Sequence, residues 1–397
     1  LIDMNQFHLV DYWSLNKDPN TELEEFYSSE FSPKRKNSKY RSKLSTLLAN
    51  LIQASKSNSA VIYGRASKDC QMTVKLVDWL IGTGKAEGVK GVRSSFTKQS
   101  SIVWLSSQFV LELKAKKIST HLDIDKDFII LRDEQKNKVP FKKSKRTKEL
   151  NKAAALHNKL WLQSEAFFGD GSAVIPFVCR IFNGDFKHGG RFYFYSQTEK
   201  KEKRANILID GEPTVELDYK SLHFHLLYAL ESYQLENDPY LVSGYDRKVI
   251  KLAMLSFINS EDRGAWCANI TRSGNPNFIK KVLAWKKSNT RKGVSWSDGV
   301  VEGIPLGTQG KDLAYAIDLT HHPIQHLFHT PKIGLTLQNK DSQIMATCLT
   351  ELALLGIPTL PYHDGIRCPL SKVEVVKKVM QEAYKKEVGF NIQVCEA

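Results

Sequence analysis

The sequence predicts an α+β protein of more than one domain. Three observations carry this. The 397 residues are more than one core usually holds. The first half runs helix, glycine stop, then a basic hairpin. In the second half, strand-like apolar runs end on charged or glycine turns with helical segments between them. The chain is 42% hydrophobic and 25% charged, ordinary values for a folded protein.

The first forty residues are polar, acidic and then basic ("SPKRKNSKYRSK"), and predict a loosely ordered arm (1–40) leading into a helix at 41–56. "SAVIYGRAS" predicts a short strand and turn. "MTVKLVDWLIGTG" (72–84) places Val74, Leu76, Val77, Leu80 and Ile81 at helical spacing, with Gly82 and Gly84 as the stop. "GVKGVRSSFTKQSSIVWLS" (88–106) predicts two strands joined by a polar turn. This order over 41–120 suits a winged-helix-like DNA-binding module, with an ordinary small α+β unit as the alternative. "HLDIDKDF" holds Asp123 and Asp125, which read as turn acids. "DEQKNKVPFKKSKRTKE" (133–149) is dense in cations, including Lys142, Lys143, Lys145 and Arg146, and leads into a helix predicted at 150–168. Beside a long helix, that run suits a phosphate backbone; a solvated surface face is the plainer reading.

The formal net charge is +14. Such a balance favours an anionic partner, nucleic acid before acidic membrane, over a merely soluble basic protein. Cys70, Cys179, Cys267, Cys348, Cys368 and Cys395 stand singly, which excludes a Cys-x-x-Cys zinc or redox motif and suits a reducing cytoplasm. No apolar run is long enough to span a bilayer. The chain opens on Leu, which leaves an upstream start open.

Two acids then stand out. Asp218 ends the strand "TVELD", and Asp364 sits at the tip of a hairpin in "LPYHDGIRCP". A carboxylate at a strand end is costly unless a cation meets it. The alternatives are a structural pair with Lys220 or Arg204, or a paired-acid site for a divalent metal. Oxygen ligands with no Cys or His cluster favour Mg²⁺. Between the two acids, "YDRKVIKLAMLSFINS" puts Arg247, Lys251, Leu255 and Asn259 at successive i+4 steps on one helical face, where two cations suit a triphosphate, with a surface helix of ordinary basic residues as the alternative. Ahead of both, "FKHGGRFYFYS" places Arg191 after two glycines, which permit close backbone approach.

Gly-Arg turn, strand-Asp, Arg-x-x-x-Lys helix and His-Asp hairpin occur here in the order of the family A DNA polymerases and single-subunit phage-type RNA polymerases. Over residues 180 to 390 the chain resembles a compact, divergent member of that palm-domain superfamily, of the kind carried by phages, plasmids and integrated elements. The resemblance implies a right-hand palm with helical fingers and thumb behind the winged-helix-like module. It implies a basic helical thumb-like region (121–180), palm in two parts (181–224 and 336–397) and fingers (225–335). It implies template-directed nucleotidyl transfer, as a DNA polymerase in replication of a mobile element, with two Mg²⁺ ions (Mn²⁺ as a substitute), nucleoside triphosphates and a primer–template duplex. Alternatives are an RNA- or primer-synthesising enzyme, a non-catalytic replication initiator and a metal-dependent nuclease. A cytoplasmic, distributive monomer without proofreading is expected.

Residue by residue, Asp218 and Asp364 resemble the metal ligands, with the Tyr219 carbonyl beside the first. Arg247 and Lys251 resemble the triphosphate-binding residues, with Lys251 also a general acid toward pyrophosphate. Leu255 and Asn259 continue that face toward the nucleotide. Arg191, Gln338 and His363 resemble residues near the nucleic acid. Three positions depart from the pattern. His223, five after Asp218, stands where relatives have Glu (DNA) or Gly (RNA). Asn259 stands where both have Tyr, and Gly365 where DNA polymerases often have Glu. Sugar choice is therefore left open.

Overall fold

The computed structural model describes residues 5–8, 13–15, 38–56, 59–65, 71–91, 101–122, 127–275 and 303–397. Asp123, Asp125, Cys70, the turn within 92–100 and the segment 276–302 lie outside them. The fold is α+β. Its chain falls into two compact units, one from Leu1–Phe128, Trp161–Phe177 and Thr198–Ile207, the other from Ile129–Leu160, Val178–Gln197 and Leu208–Ala397.

In the first unit, strands β1 (Asn5–His8), β2 (Trp13–Leu15) and β3 (Ser59–Tyr63) are followed by β4 (Ala86–Val89), β5 (Ser101–Leu105) and β6 (Thr120–Leu122). A four-stranded sheet runs β1-β3-β5-β4, and β2 pairs with β6. Helix α1 (Ser38–Lys56) buries Leu44, Leu47, Leu48 and Leu51, one apolar stripe at helical spacing. Helix α2 (Gln71–Gly82) buries Leu76, Val77 and Leu80, as the spacing predicts. It ends where Gly84 takes a left-handed backbone (φ 70°) and Lys85 N–H donates to the Leu80 carbonyl, a glycine stop of the Schellman kind. Helix α3 (Ser107–Ala115) is capped by the Ser106 side chain.

The arm expected to be loosely ordered is corrected at residues 5–8, which pair in parallel with β3, Asn5 opposite Ser59. That pairing spans more than fifty residues of chain, so no local signal announces it. The hairpin arm β4 also starts at Ala86, two residues ahead of the predicted run.

The second unit holds two sheets. One runs β10-β9-β7-β8, from β7 (Ile129–Arg132), β8 (Lys138–Val139), β9 (Cys179–Asn183) and β10 (Gly189–Tyr193). The other is built on β12 (Glu212–Tyr219), flanked by β11 (Leu208–Ile209), the hairpin β13 (Leu360–Tyr362) and β14 (Gly365–Pro369), and β15 (Val394–Glu396). Its helices are α4 (Lys145–Leu160), α5 (Leu222–Leu230), α6 (Arg247–Asn259), α7 (Arg263–Ser273), α8 (Gly310–Thr320), α9 (Ile333–Leu354) and α10 (Val373–Val388).

Helix α4 corrects the predicted 150–168 at both ends. It begins at Lys145, because Ser144 and Thr147 cap it reciprocally, each backbone N–H reaching the other's hydroxyl at 3.2 and 2.8 Å. It stops at Leu160, and Ala166–Phe167 is instead a short strand. Near the stop, the Asn158 amide is bonded both ways to the Val178 backbone at 2.8 and 2.9 Å. The cationic run is therefore divided: residues 133–137 form the β7–β8 turn, Lys142 and Lys143 lie in the loop after β8, and Lys145 and Arg146 open the helix.

Helix α9 is the spine of this unit. Leu337, Ile344, Met345, Cys348, Leu349 and Leu352 are buried along it, and it packs on α4, α10 and β10. No described helix is long and apolar enough to cross a membrane. The five described cysteines are free thiols.

Candidate active site

The two acids meet. β12 and β14 pair antiparallel with Asp218 opposite Gly365, so Asp364, the residue before Gly365, stands beside Asp218. The hairpin is tight: Tyr362 pairs with Gly365, leaving only His363 and Asp364 as its loop. His363 adopts a left-handed backbone (φ 59°), unusual for a side chain with a Cβ and a place where strain is held by its surroundings. Those surroundings are the Gln197 amide, 3.3 Å from His363 Nδ1, and the Tyr193 ring, edge-on at 5.5 Å.

Asp218 Oδ1 is buried and has no hydrogen-bond partner. Burial raises the Asp218 carboxyl to about 7, and the charges of Asp364 and then Glu216 push the same way. A hydrogen bond from the Tyr219 backbone and the charge of Lys251 pull it back. Asp218 forms no ion pair among the described residues. Lys220, one alternative partner, instead donates to Gln393 Oε1 at 3.5 Å. Glu216 is taken by Arg367 at 2.8 Å, directly across the strand pair. Gly365 has a reason of its own: a Cβ there would lie 2.9 Å from the Leu217 carbonyl and 3.1 Å from Asp218 Oδ1.

Helix α6 supplies the cationic face. Asp246 caps it. Arg247 Nε donates to Asp238 at 2.7 Å, and its guanidinium lies 5.3 Å from the centre of the Tyr240 ring. Lys251 is exposed one turn on. Tyr240 was not singled out by the sequence. Its ring packs edge-on to Phe224 at 5.5 Å. Burial pushes its phenol up, a Ser221 hydrogen bond opposes this, and the charge of Asp364 reaches it. The side chain of Leu255 lies outside the described residues. Asn259 sits at the far end of the helix against α9, where a Cβ on Gly334 would meet its Oδ1 at 2.0 Å.

Arg191 lies on β10, and its guanidinium is taken by Asp341 of α9. Nε lies 3.0 and 3.2 Å from the two carboxylate oxygens, and Nη2 also donates to Asp341. His223 Nε2 is 3.2 Å from the same carboxylate and 3.2 Å from Arg191 Nη2. The Asp341 side chain is 0% exposed and that of Arg191 14%. Burial pulls the Arg191 guanidinium down, and the Asp341 bond and charge, with that of Asp364, overcome it. The glycines before Arg191 do permit a close approach, and it is to α9. A Cβ on Gly190 would lie 3.0 Å from Ser342 Oγ, and Asn339 and Ser342 both donate to the Gly189 carbonyl. Asp341 went unnoticed in the sequence. Its signal was an acid in the middle of the apolar stripe Leu337, Ile344, Cys348.

Gln338 is half-buried on α9. Lys142, Lys143, Lys145 and Arg146 are exposed, in the same unit as the acid pair. Arg146 donates to the Phe186 carbonyl at 3.2 Å.

No family model matches the chain, and no curated protein matches it. Among solved structures it is similar to the POL domain of Pol1 from M. smegmatis, in a complex with DNA primer-template and dNTP. The likeness has 10% identity and a TM-score of 0.30, covering 64% of this chain and 51% of that one. The chain thus spans about half of that structure's length. A likeness at that TM-score assigns neither a family nor an activity to this chain.

Proposed function

We propose that this chain catalyses template-directed nucleotidyl transfer at the Asp218/Asp364 pair, as a DNA polymerase without proofreading. The observation that carries the reading is the acid pair itself. Two carboxylates are brought side by side by one strand register, and one of their oxygens is buried with no donor. Such an arrangement is costly in a fold unless a cation completes it.

The donor set fits hard divalent cations. Among the described residues no group of three or more His, Cys, Asp or Glu is arranged to hold a metal; a site of two carboxylates would be completed by substrate oxygens. Asp218, Asp364 and the Tyr219 carbonyl would hold Mg²⁺, or Mn²⁺ in its place. When bound, two such ions acidify a primer 3′-hydroxyl and offset charge on the leaving pyrophosphate. Arg247 and Lys251, on one face of α6, bind the triphosphate, and Lys251 donates a proton to the leaving group. Arg247 enters this role already oriented, since Asp238 holds its Nε. His223 and Tyr240 shape the space beside the acids where the sugar sits. Gln338 and His363 line the path of the nucleic acid, and the 142–146 cations hold the duplex by its phosphates. On this reading 181–224 and 336–397 are palm, 225–335 fingers and 121–180 thumb.

The test is primer extension on a DNA template with Mg²⁺, with dNTPs and NTPs in separate reactions. Extension that is lost in Asp218→Ala and Asp364→Ala is the expected result. Extension with NTPs alone would make the enzyme an RNA- or primer-synthesising one. DNA binding with no extension, unaltered in the variants, would favour a non-catalytic initiator.

A further inference from the structure

We propose that Asp341 is a positioning residue of this site: its buried carboxylate takes up Arg191 and His223 and so keeps both off the Asp218/Asp364 pair, leaving those oxygens open to a divalent cation. The inference rests on the metal-site reading above and deepens it.

The Asp218/Asp364 pair attracts any cation within reach, and the Arg191 guanidinium is close enough to feel the charge of Asp364. Arg191 and Tyr193 lie two apart on β10, so they point to the same side of the strand. Tyr193 packs on His363, whose neighbour is Asp364. His223 lies five residues beyond Asp218, in the first turn of α5. A guanidinium on a flexible stem would fork onto two carboxylates readily, and would compete with a metal for the same lone pairs.

Asp341 removes that option. It engages the Nε and Nη2 edge of Arg191, the edge that makes forked carboxylate bonds, and its Oδ2 lies 3.2 Å from His223 Nε2 as well. Its own position is fixed from both sides. Asn339 and Ser342, two residues before it and one after, donate to the Gly189 carbonyl, next but one to Arg191. Arg180, buried in β9, reaches the Gly190 carbonyl at 2.9 Å and Ser342 Oγ at 3.2 Å. Helix α9 and strand β10 are thus clasped where the ion pair forms. Asp341 is not itself open to a metal, since its side chain is fully buried and already carries two partners.

The experiment is Mn²⁺ binding to the full chain, read by paramagnetic resonance of the free ion, without nucleotide or nucleic acid. Asp341→Asn keeps the shape and removes the charge. It is expected to weaken Mn²⁺ binding about tenfold or more, as loss of a supporting residue does at metal sites. The double variant Asp341→Asn/Arg191→Met, which removes the competing cation too, is expected to bind Mn²⁺ about as well as the wild type. If Asp341→Asn does not fold, the double variant decides, because it leaves no unpaired buried charge. Wild-type binding in Asp341→Asn, or binding still lost in the folded double variant, overturns the proposal while the metal site stands. A wild type that binds no Mn²⁺, like Asp218→Asn, overturns the metal-site reading and this proposal with it.

Discussion

As a metal ligand, the role proposed for it, Asp218 would trade stability for function. Its folded carboxyl titrates near 7, and in an unfolded chain it would return to the ordinary value of 3.8. Between these values the folded state binds more protons than the unfolded one. Stability therefore falls as pH rises through that window, and the full cost persists above it. Asp218→Asn is expected to raise stability by roughly 1–3 kcal/mol at pH 8 in a chelator, with the gain shrinking toward zero near pH 4. Urea unfolding across pH measures it; a gain independent of pH would mean that the carboxylate is not the strained group. His223 makes a second point at this scale. Replacing it by Gly removes the ring that lies against Arg191 and Asp341 and, on the proposed reading, opens the space where the sugar sits. His223→Gly is expected to raise NTP use relative to dNTP, read as the ratio of the two kcat/KM values. An unchanged ratio would place the sugar elsewhere.

At the scale of elements, the junction of α9 with β10 decides where side chains end up. Gly190 has φ 87°, and a Cβ on it would meet the Phe182 ring at 2.5 Å. Gly190→Ala adds both backbone strain and a clash, and is expected to cost roughly 2 kcal/mol or more in a denaturant titration. The same substitution at Gly171, also at positive φ but with open space around it, should cost less. The hairpin with Asp364 at its tip was legible in the sequence because a two-residue turn between apolar runs is a local pattern. Helix α6 was legible from its i+4 spacing. Helix α4 was displaced from its prediction because a Ser–Thr cap and one asparagine clamp set its ends. Those are single hydrogen-bonding events that apolar periodicity does not register.

At the scale of the molecule, the charge of +14 predicts salt-dependent binding to nucleic acid. Replacing Lys142, Lys143, Lys145 and Arg146 by Gln is expected to weaken duplex binding at all sequences alike. It should flatten the log–log salt slope by about 3 to 4 for that many lost phosphate contacts. Fluorescence anisotropy at several salt concentrations reads the slope. An unaltered slope would leave this run as a solvated face.

By itself the sequence determined much of the local matter: the helix at 72–84, that one acid closes a strand and another tips a hairpin, and that two cations share a helical face. These follow from spacing and turn chemistry within a few residues. Only the tertiary structure decided that Asp218 and Asp364 stand together, although 146 residues separate them (364 − 218). It alone turned Arg191 toward Asp341, 150 residues away. The physical reason is the same in both cases. A partner for a buried charge is chosen by strand register and helix docking, which join distant parts of the chain and leave no periodic trace in it.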